Sequence, residues 1–135
     1  MYEKYHDRGF ELIAFPANQF GCQAPYESAV ERDYAYEKFG MRFPIYDKIG
    51  VKRRGNPQCD GPQDEHPLYR FLKQERAFSD ELEWNYVKFL VDKEGQVKRR
   101  YKPGDPLDQG LERDLLALLD DKPLPAKKRV YLGAA

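Results

Sequence analysis

Two cysteines carry the most reactive side chains of this sequence, and two histidines stand apart from them. Cys22 lies in a polar segment rich in amide side chains, and Cys59 lies in a charged stretch. A cysteine thiolate can act as a nucleophile or as a metal ligand. However, the sequence has no Cys-x-x-Cys pair, His-Glu-x-x-His motif or glycine-rich phosphate loop. We therefore expect Cys22 and Cys59 to be unreactive loop thiols, His6 and His66 to be surface or capping residues, and no metal site.

Three short clusters of basic residues stand out from an otherwise balanced charge pattern. They are Lys52–Arg54, Lys98–Arg100 and Lys127–Arg129. The whole chain has 23 Lys and Arg against 23 Asp and Glu, which gives a formal net charge of zero. This balance argues against nucleic-acid binding through bulk charge. Each cluster is either solvated surface charge or part of a patch for an anionic ligand or a partner.

The composition indicates a protein with little apolar material for its length. Of 135 residues, 41% are hydrophobic and 34% are charged. The length corresponds to one domain. The sequence contains no apolar run of about 18 residues that would span a membrane, and its start, Met1–His6, lacks the apolar region of a signal peptide. Either the domain is small for its length, or part of its core comes from elsewhere.

The first half of the sequence predicts a helix end, a strand and a second helix. Residues 2–9 resemble the last turns of a helix that stops at Gly9. Phe10–Phe15 is a short, mostly apolar run ended by Pro16, which suits a strand buried on both faces. Ser28 and Glu31 have the spacing of a capping box, so a helix should begin near Ser28 and end before Gly40.

The second half predicts two more helices and a hairpin. Pro67 suits the first turn of a helix, and an Asp-Lys-Glu-Gly turn joins two alternating segments. The predicted elements are an extended segment at Phe43–Tyr46, a charged loop at Val51–Glu65, a helix from Pro67, strands at Tyr86–Val91 and Gln96–Tyr101, and a final helix with a leucine stripe from Leu107 to Leu119. We expect one domain over residues 1–121 and an extended basic tail over residues 122–135.

Two segments resemble sequences of glutathione peroxidases. Phe15–Pro25 resembles the loop after the second core strand of that family, and Trp84–Val97 resembles its Trp-Asn strand and hairpin. Phe43–Ile49 and His66–Tyr69 fall between them in the family's order. The resemblance implies an α/β, thioredoxin-like fold of the glutathione peroxidase type, with three layers in the order α/β/α.

The resemblance also implies a reaction and three site residues. The family reduces hydroperoxides with a cysteine or selenocysteine, which thiols then regenerate. Gln23, Trp84 and Asn85 match the residues that surround this nucleophile. The resemblance implies no prosthetic group, with glutathione or thioredoxin as the reductant.

The nucleophile of the family lies upstream of the matched segments, so we expect this chain to lack it. The first core strand would be missing too, which leaves a gap between Phe10–Phe15 and Tyr86–Val91. Cys22 lies beside Gln23 and not at a helix start, so it does not replace the nucleophile, and the chain alone should be inactive. The gap would be filled by a preceding segment or by a partner chain that adds a strand. The predicted helix from Ser28 contains no resolving cysteine, which fits a selenocysteine-type protein whose special codon was read as a stop.

Two functions remain open at this point. One is a peroxidase whose front segment lies outside this sequence, and the other is a non-catalytic structural or interaction subunit of a larger assembly. The charged Lys52–Glu65 stretch and the basic tail favour the second. A short connection between the Pro67 helix and Trp84 resembles the monomeric branch of the family, which favours lipid hydroperoxides. Charge balance and free thiols predict an intracellular location, either cytoplasmic or organellar.

Overall fold

A β-hairpin lies at the centre of the computed structural model, which describes residues 1–126. Strand β1 (Lys88–Val91) pairs antiparallel with strand β2 (Val97–Tyr101). Gly95 has a φ of +83° in the turn between them, as the sequence predicts. The backbone N–H of Gln96 donates to the Asp92 carboxylate at 2.8 Å, and this bond holds the pKa of Asp92 below its usual value.

The two faces of β1 pack against different parts of the chain. Leu90 belongs to a helix-side cluster, and Phe89 packs against a loop-side cluster. The buried residues of the helix-side cluster are Tyr5, Leu90, Tyr101 and Leu115. Those of the loop-side cluster are Phe20, Val51 and Leu82. The hairpin is therefore covered on both sides, as a middle layer should be.

Residues 1–126 contain four α-helices. They are α1 (Tyr2–Tyr5), α2 (Ser28–Phe39), α3 (Pro67–Leu72) and α4 (Glu112–Leu119). Three single turns supplement them, of 3₁₀ type at His6–Arg8 and Arg76–Phe78 and of π type at Leu107–Leu111. Gly9 ends the first helical segment with a φ of +101°, which confirms the predicted stop. The final helix that the sequence predicts from Leu107 to Leu119 consists of the π turn at Leu107–Leu111 followed by α4.

Helix α2 begins and ends where the sequence predicts, but its N-cap differs from the prediction. Glu27 and not Ser28 occupies the N-cap position, and no side chain caps the helix. The Ser28 hydroxyl instead accepts a hydrogen bond from the backbone N–H of Lys48 at 2.8 Å. The Glu31 carboxylate reaches back to the N–H of Tyr26 at 3.0 Å. The capping-box prediction is wrong because a neighbouring loop takes the serine hydroxyl.

The segment Phe10–Phe15 does not form the strand that the sequence predicts. Its only β-type pairing is a parallel bridge between Ala14 and Ile45. Ile13 is 47% exposed, which contradicts burial on both faces. The apolar residues are present, but a strand also needs backbone partners along its length.

The sheet consists of β1 and β2 within residues 1–126, and Phe10–Phe15 lies outside it. Among residues 1–126, no backbone hydrogen bond joins this segment to β1. This arrangement agrees with the predicted gap between the two segments. The extended tail predicted over residues 122–135 has no helix or strand at residues 122–126, and the remainder of it, with the Lys127–Arg129 cluster, lies outside the described residues.

We predict that Leu115→Ala lowers the free energy of unfolding of this chain by about 2–5 kcal/mol. Leu115 is 4% exposed, and its removal leaves a cavity in the helix-side cluster. Leu107→Ala is the matched control, because Leu107 is 46% exposed and should change the value by less than about 0.5 kcal/mol. Urea denaturation measures both variants. Equal losses would show that the helix-side cluster is not the core.

Candidate functional site

The structure brings together the three residues that the sequence singles out. Asn85 Nδ2 donates a hydrogen bond to Gln23 Oε1 at 2.9 Å, although 62 positions separate the two residues. The Trp84 ring lies 5.5 Å from the ring of Phe20, measured between centroids. Gln23 and Trp84 are exposed, and Asn85 is partly buried. The two segments of the resemblance thus meet at one place, while the catalytic roles of these residues stay a prediction.

A buried amide fixes the loop that carries Gln23. Gln19 is 2% exposed, and its Oε1 accepts from the backbone N–H of Val51 at 2.7 Å and from that of Lys52 at 3.2 Å. Its Nε2 donates to the carbonyl of Gln63 at 3.0 Å. The charged 51–65 loop is therefore packed against the site loop.

Asn18 provides a second anchor in the same loop. Its Nδ2 donates to the carbonyl of Asp60 at 2.8 Å, and its Oδ1 accepts from the N–H of Ala24 at 3.0 Å. Asn18 is 4% exposed. The sequence predicts only a polar loop here and does not single out either amide. Because their partners come from a distant, irregular segment, periodicity gives no signal of their burial.

The turn that follows these anchors brings the backbone close to the tryptophan. Gly21 has a φ of +64° and Cys22 a φ of +53°. A Cβ atom at Gly21 would lie 3.2 Å from Cη2 of Trp84, closer than ordinary contact allows. Both the backbone conformation and the neighbouring indole therefore favour glycine at this position.

Cys22 and Cys59 form a disulfide, and the expectation of two free thiols is wrong. Their Cα atoms lie 5.2 Å apart across 37 positions of sequence. Cys59 is 4% exposed and so is not a surface residue. The hydrogen bonds of Asn18 and Gln19 bring the two loops together, and this packing places the sulfur atoms within bonding range. The argument from free thiols to a reducing compartment no longer applies.

Lys73 is a buried lysine that anchors the segment before Trp84. Lys73 is 6% exposed and forms ion pairs with Glu65 and, at 3.2 Å, with Glu81. Burial tends to raise the pKa of Glu81. The backbone N–H groups of Arg53 and Arg54, together with Lys73, outweigh that effect and hold it below its usual value. The cluster ties the charged loop to helix α3 and to the residues before Trp84.

Tyr86 is strained and exposed next to the site. It has a φ of +69°, which bulky residues rarely adopt, and it is 79% exposed. Strand β1 therefore begins at Lys88 and not at Tyr86 as predicted, because the left-handed residue interrupts the extended backbone. Trp84 is 45% exposed, so two aromatic side chains flank Asn85 at the surface.

Two of the basic clusters make contacts within the chain, whereas the sequence predicts solvated charge or a patch for a ligand or partner. The Lys52 ammonium lies 5.6 Å from the ring centroid of Phe20, next to the site. Arg100 donates to the carbonyls of Phe78, Asp80 and Glu81, so its cluster serves internal packing more than a surface patch. Throughout residues 1–126, no group of three or more His, Cys, Asp or Glu could hold a metal ion, and no helix is long and apolar enough to cross a membrane.

Comparison with known proteins connects this arrangement to one family. The family model described as glutathione peroxidase matches residues 1–73. A probable phospholipid hydroperoxide glutathione peroxidase of Citrus sinensis is 40% identical over 123 residues, which cover 89% of this chain and 67% of that protein. The probable glutathione peroxidase 3, mitochondrial, of Arabidopsis thaliana is 42% identical over 88% of this chain and 54% of its own length. The putative glutathione peroxidase 7, chloroplastic, of the same plant is 41% identical over 88% and 48%.

A solved structure supports the fold. The crystal structure of Trgpx in apo form matches with a TM-score of 0.59 and 26% sequence identity, and the match covers 92% of this chain and 65% of that one. Together with the family match, this confirms the expected thioredoxin-like α/β fold. The chain spans between about half and two thirds of the length of these relatives.

We predict that Gly21→Ala changes the fluorescence of Trp84, which is the only tryptophan in the sequence. The new methyl group must displace the indole ring. Gly40→Ala is the matched control, because Gly40 has a similar φ of +62° and open space around it. Both variants should lose about 1–2 kcal/mol of stability through backbone strain. Only the first should shift the emission maximum, and an equal shift in both would disprove the contact.

Proposed function

This chain belongs to the glutathione peroxidase family, and from that premise we propose that it provides the peroxide-positioning part of a thiol-dependent hydroperoxide reductase. The observation that carries the proposal is the hydrogen bond between Asn85 and Gln23 beside Trp84. Two amides and an indole N–H then lie where a reacting anion could be stabilised.

The chemistry of the reaction explains why such groups are useful. A thiolate or selenolate attacks one oxygen of the peroxide, the O–O bond breaks, and the other oxygen leaves as an alcohol or water. The nucleophile becomes a sulfenic or selenenic acid, which two thiols reduce back with loss of water. Fixed N–H dipoles favour the anionic nucleophile and the developing alkoxide. An amide nitrogen has two hydrogens, so Asn85 can hold Gln23 with one and the peroxide with the other.

The reacting sulfur or selenium atom is proposed to come from outside these 135 residues. The sequence has two cysteines, and each is the disulfide partner of the other. Strand β1 pairs with β2 along one edge, and its other edge has no strand partner within residues 1–126. We propose that a preceding segment of the same polypeptide, or a strand from a partner chain, occupies this edge and carries the nucleophile. A selenocysteine would suit the absence of a resolving cysteine in α2.

The open site favours bulky hydroperoxides as substrates. Trp84 and Tyr86 are exposed aromatic residues on either side of Asn85, and apolar rings of this kind can contact an acyl chain. The Citrus sinensis relative is named as a phospholipid hydroperoxide enzyme. We therefore propose lipid hydroperoxides as the substrate class, with glutathione or a thioredoxin-type dithiol as reductant and no prosthetic group. Relatives named as mitochondrial and chloroplastic support an intracellular location, organellar or cytoplasmic.

The alternative, a non-catalytic structural or interaction subunit, has less support. The charged Lys52–Glu65 stretch is one of the sequence features that favour a non-catalytic subunit. That stretch packs on the chain itself through Gln19, Lys73 and the disulfide. The contacts that hold this stretch in place are therefore internal, and its Glu65 carboxylate pairs with Lys73 of the same chain. The alternative would be favoured only if the completed polypeptide bound a partner and had no activity.

We predict that the 135-residue chain does not reduce a phospholipid hydroperoxide or hydrogen peroxide above background. The assay supplies glutathione in one series and thioredoxin with its reductase in another. Turnover is absent because neither Cys22 nor Cys59 lies at a helix start, where the family carries its nucleophile. The matched control is Cys22→Ser. Turnover in the original chain that this variant abolishes would identify Cys22 as the nucleophile and contradict the proposal.

We further predict that the transcript upstream of the Met1 codon encodes a strand, a loop with cysteine or an in-frame UGA codon, and the start of a helix. Sequencing of the transcript provides the measurement. An upstream UGA should be accompanied by a selenocysteine insertion signal downstream. An in-frame stop without that signal would contradict the single-polypeptide form of the proposal and leave the partner strand to be tested by co-purification.

A further inference from the structure

The Cys22–Cys59 disulfide lies directly beside the residues of the site. Cys22 is adjacent to Gln23 on one side and to Gly21, the contact of Trp84, on the other. We infer that this pair is a reversible thiol–disulfide site, and that its redox state determines how firmly the short segment 21–23 is held against Trp84 and Asn85. The inference does not depend on peroxide turnover by this chain.

The other anchors of the loop lie before and after this segment. Asn18 and Gln19 fix its beginning through buried hydrogen bonds. The Lys48 ammonium donates to the carbonyl of Ala24 and fixes its end. Between these points, Gln23 is exposed and bonded to Asn85, and the Cys22 sulfur lies 3.8 Å from the Gln58 carbonyl. Opening the disulfide therefore releases the segment locally and leaves the fold in place.

The two cysteines differ in exposure, and this difference predicts which sulfur atom an incoming thiolate attacks. Cys59 is 4% exposed, whereas Cys22 is partly exposed. Thiol–disulfide exchange requires an incoming thiolate to reach a sulfur atom in line with the bond that breaks. Attack should therefore occur at the Cys22 sulfur, with Cys59 as the leaving group.

The step balances with two thiols as the reductant. The first thiolate bonds to the Cys22 sulfur, the Cys22–Cys59 bond breaks, and the Cys59 thiolate takes up a proton. A second thiol attacks the mixed disulfide and leaves Cys22 as a thiol. The two reductant molecules become one disulfide, so the class of reagent is a small thiol or a protein dithiol. An oxidised small-molecule disulfide reverses the sequence.

The first experiment measures acrylamide quenching of Trp84 in the intact chain under oxidising and reducing glutathione. Iodoacetamide labelling and mass spectrometry determine the state of the pair. Reduction should label both cysteines under native conditions, increase the quenching constant of Trp84 and leave the far-ultraviolet circular dichroism unchanged. The double variant Cys22→Ser/Cys59→Ser is the matched control. It should quench like the reduced chain and show no response to glutathione.

Several results would overturn the inference. Labelling of both cysteines under oxidising glutathione would mean that the pair does not form, and protection that persists under reducing glutathione until denaturation would make it a permanent crosslink. Equal quenching constants in the oxidised and reduced chain would show that the state of the cysteine pair does not affect the exposure of Trp84. Loss of circular dichroism on reduction would make the disulfide a support of the whole fold.

Single variants test the direction of exchange. With oxidised glutathione, the Cys59→Ser chain should form a mixed disulfide at Cys22 faster than the Cys22→Ser chain does at Cys59. Mass spectrometry over time gives both rates. Equal rates, or faster reaction at Cys59, would contradict attack at Cys22.

Discussion

The side chain of Gln19 is almost completely buried, and its amide must find hydrogen-bond partners inside the protein. It finds them in the backbone of a loop more than thirty positions away, at Val51, Lys52 and Gln63. A buried polar group without a partner costs about 1–3 kcal/mol, so the two loops stabilise each other only while packed together. The disulfide depends on the same packing, since Cys22 and Cys59 belong to these two loops. So does the position of Gln23, which follows the turn that the anchors support.

A second polar network explains how a chain with few apolar residues keeps this region ordered. Lys73 is buried between Glu65 and Glu81, and both carboxylates come from segments without regular secondary structure. A buried charge is tolerated when paired, and removing one partner is costly. Polar contacts of this kind, and not apolar burial alone, hold the segment before Trp84. The hydrophobic content of 41% is low for a globular domain. In this part of the chain, some of the charged residues stabilise the fold through buried ion pairs.

Elements with local signals could be predicted from the sequence, and those that depend on distant partners could not. The hairpin turn at Gly95 and the helix beginning at Pro67 depend on residues within a few positions of each other. Phe10–Phe15 has an apolar sequence suited to a strand, but strand pairing is determined by neighbours in space. The meeting of Gln23 with Asn85 followed from a family resemblance and not from any periodicity. The disulfide was missed because its cysteines approach only after Gln19 and Asn18 have joined the loops.

The contacts that position Gln23, Trp84 and Asn85 come from other residues of this chain, while the edge of β1 proposed for the nucleophile has no strand partner within residues 1–126. These two parts of the molecule are therefore separable. Preorganised dipoles aid a reaction because their orientation is fixed before the charge develops. In this chain Gln19, Lys73 and the disulfide hold the loops that carry Gln23 and Trp84, and none of these groups belongs to β1. In the proposed arrangement, a strand that filled this edge would meet Gln23, Trp84 and Asn85 already in position and would need to place only the reacting atom.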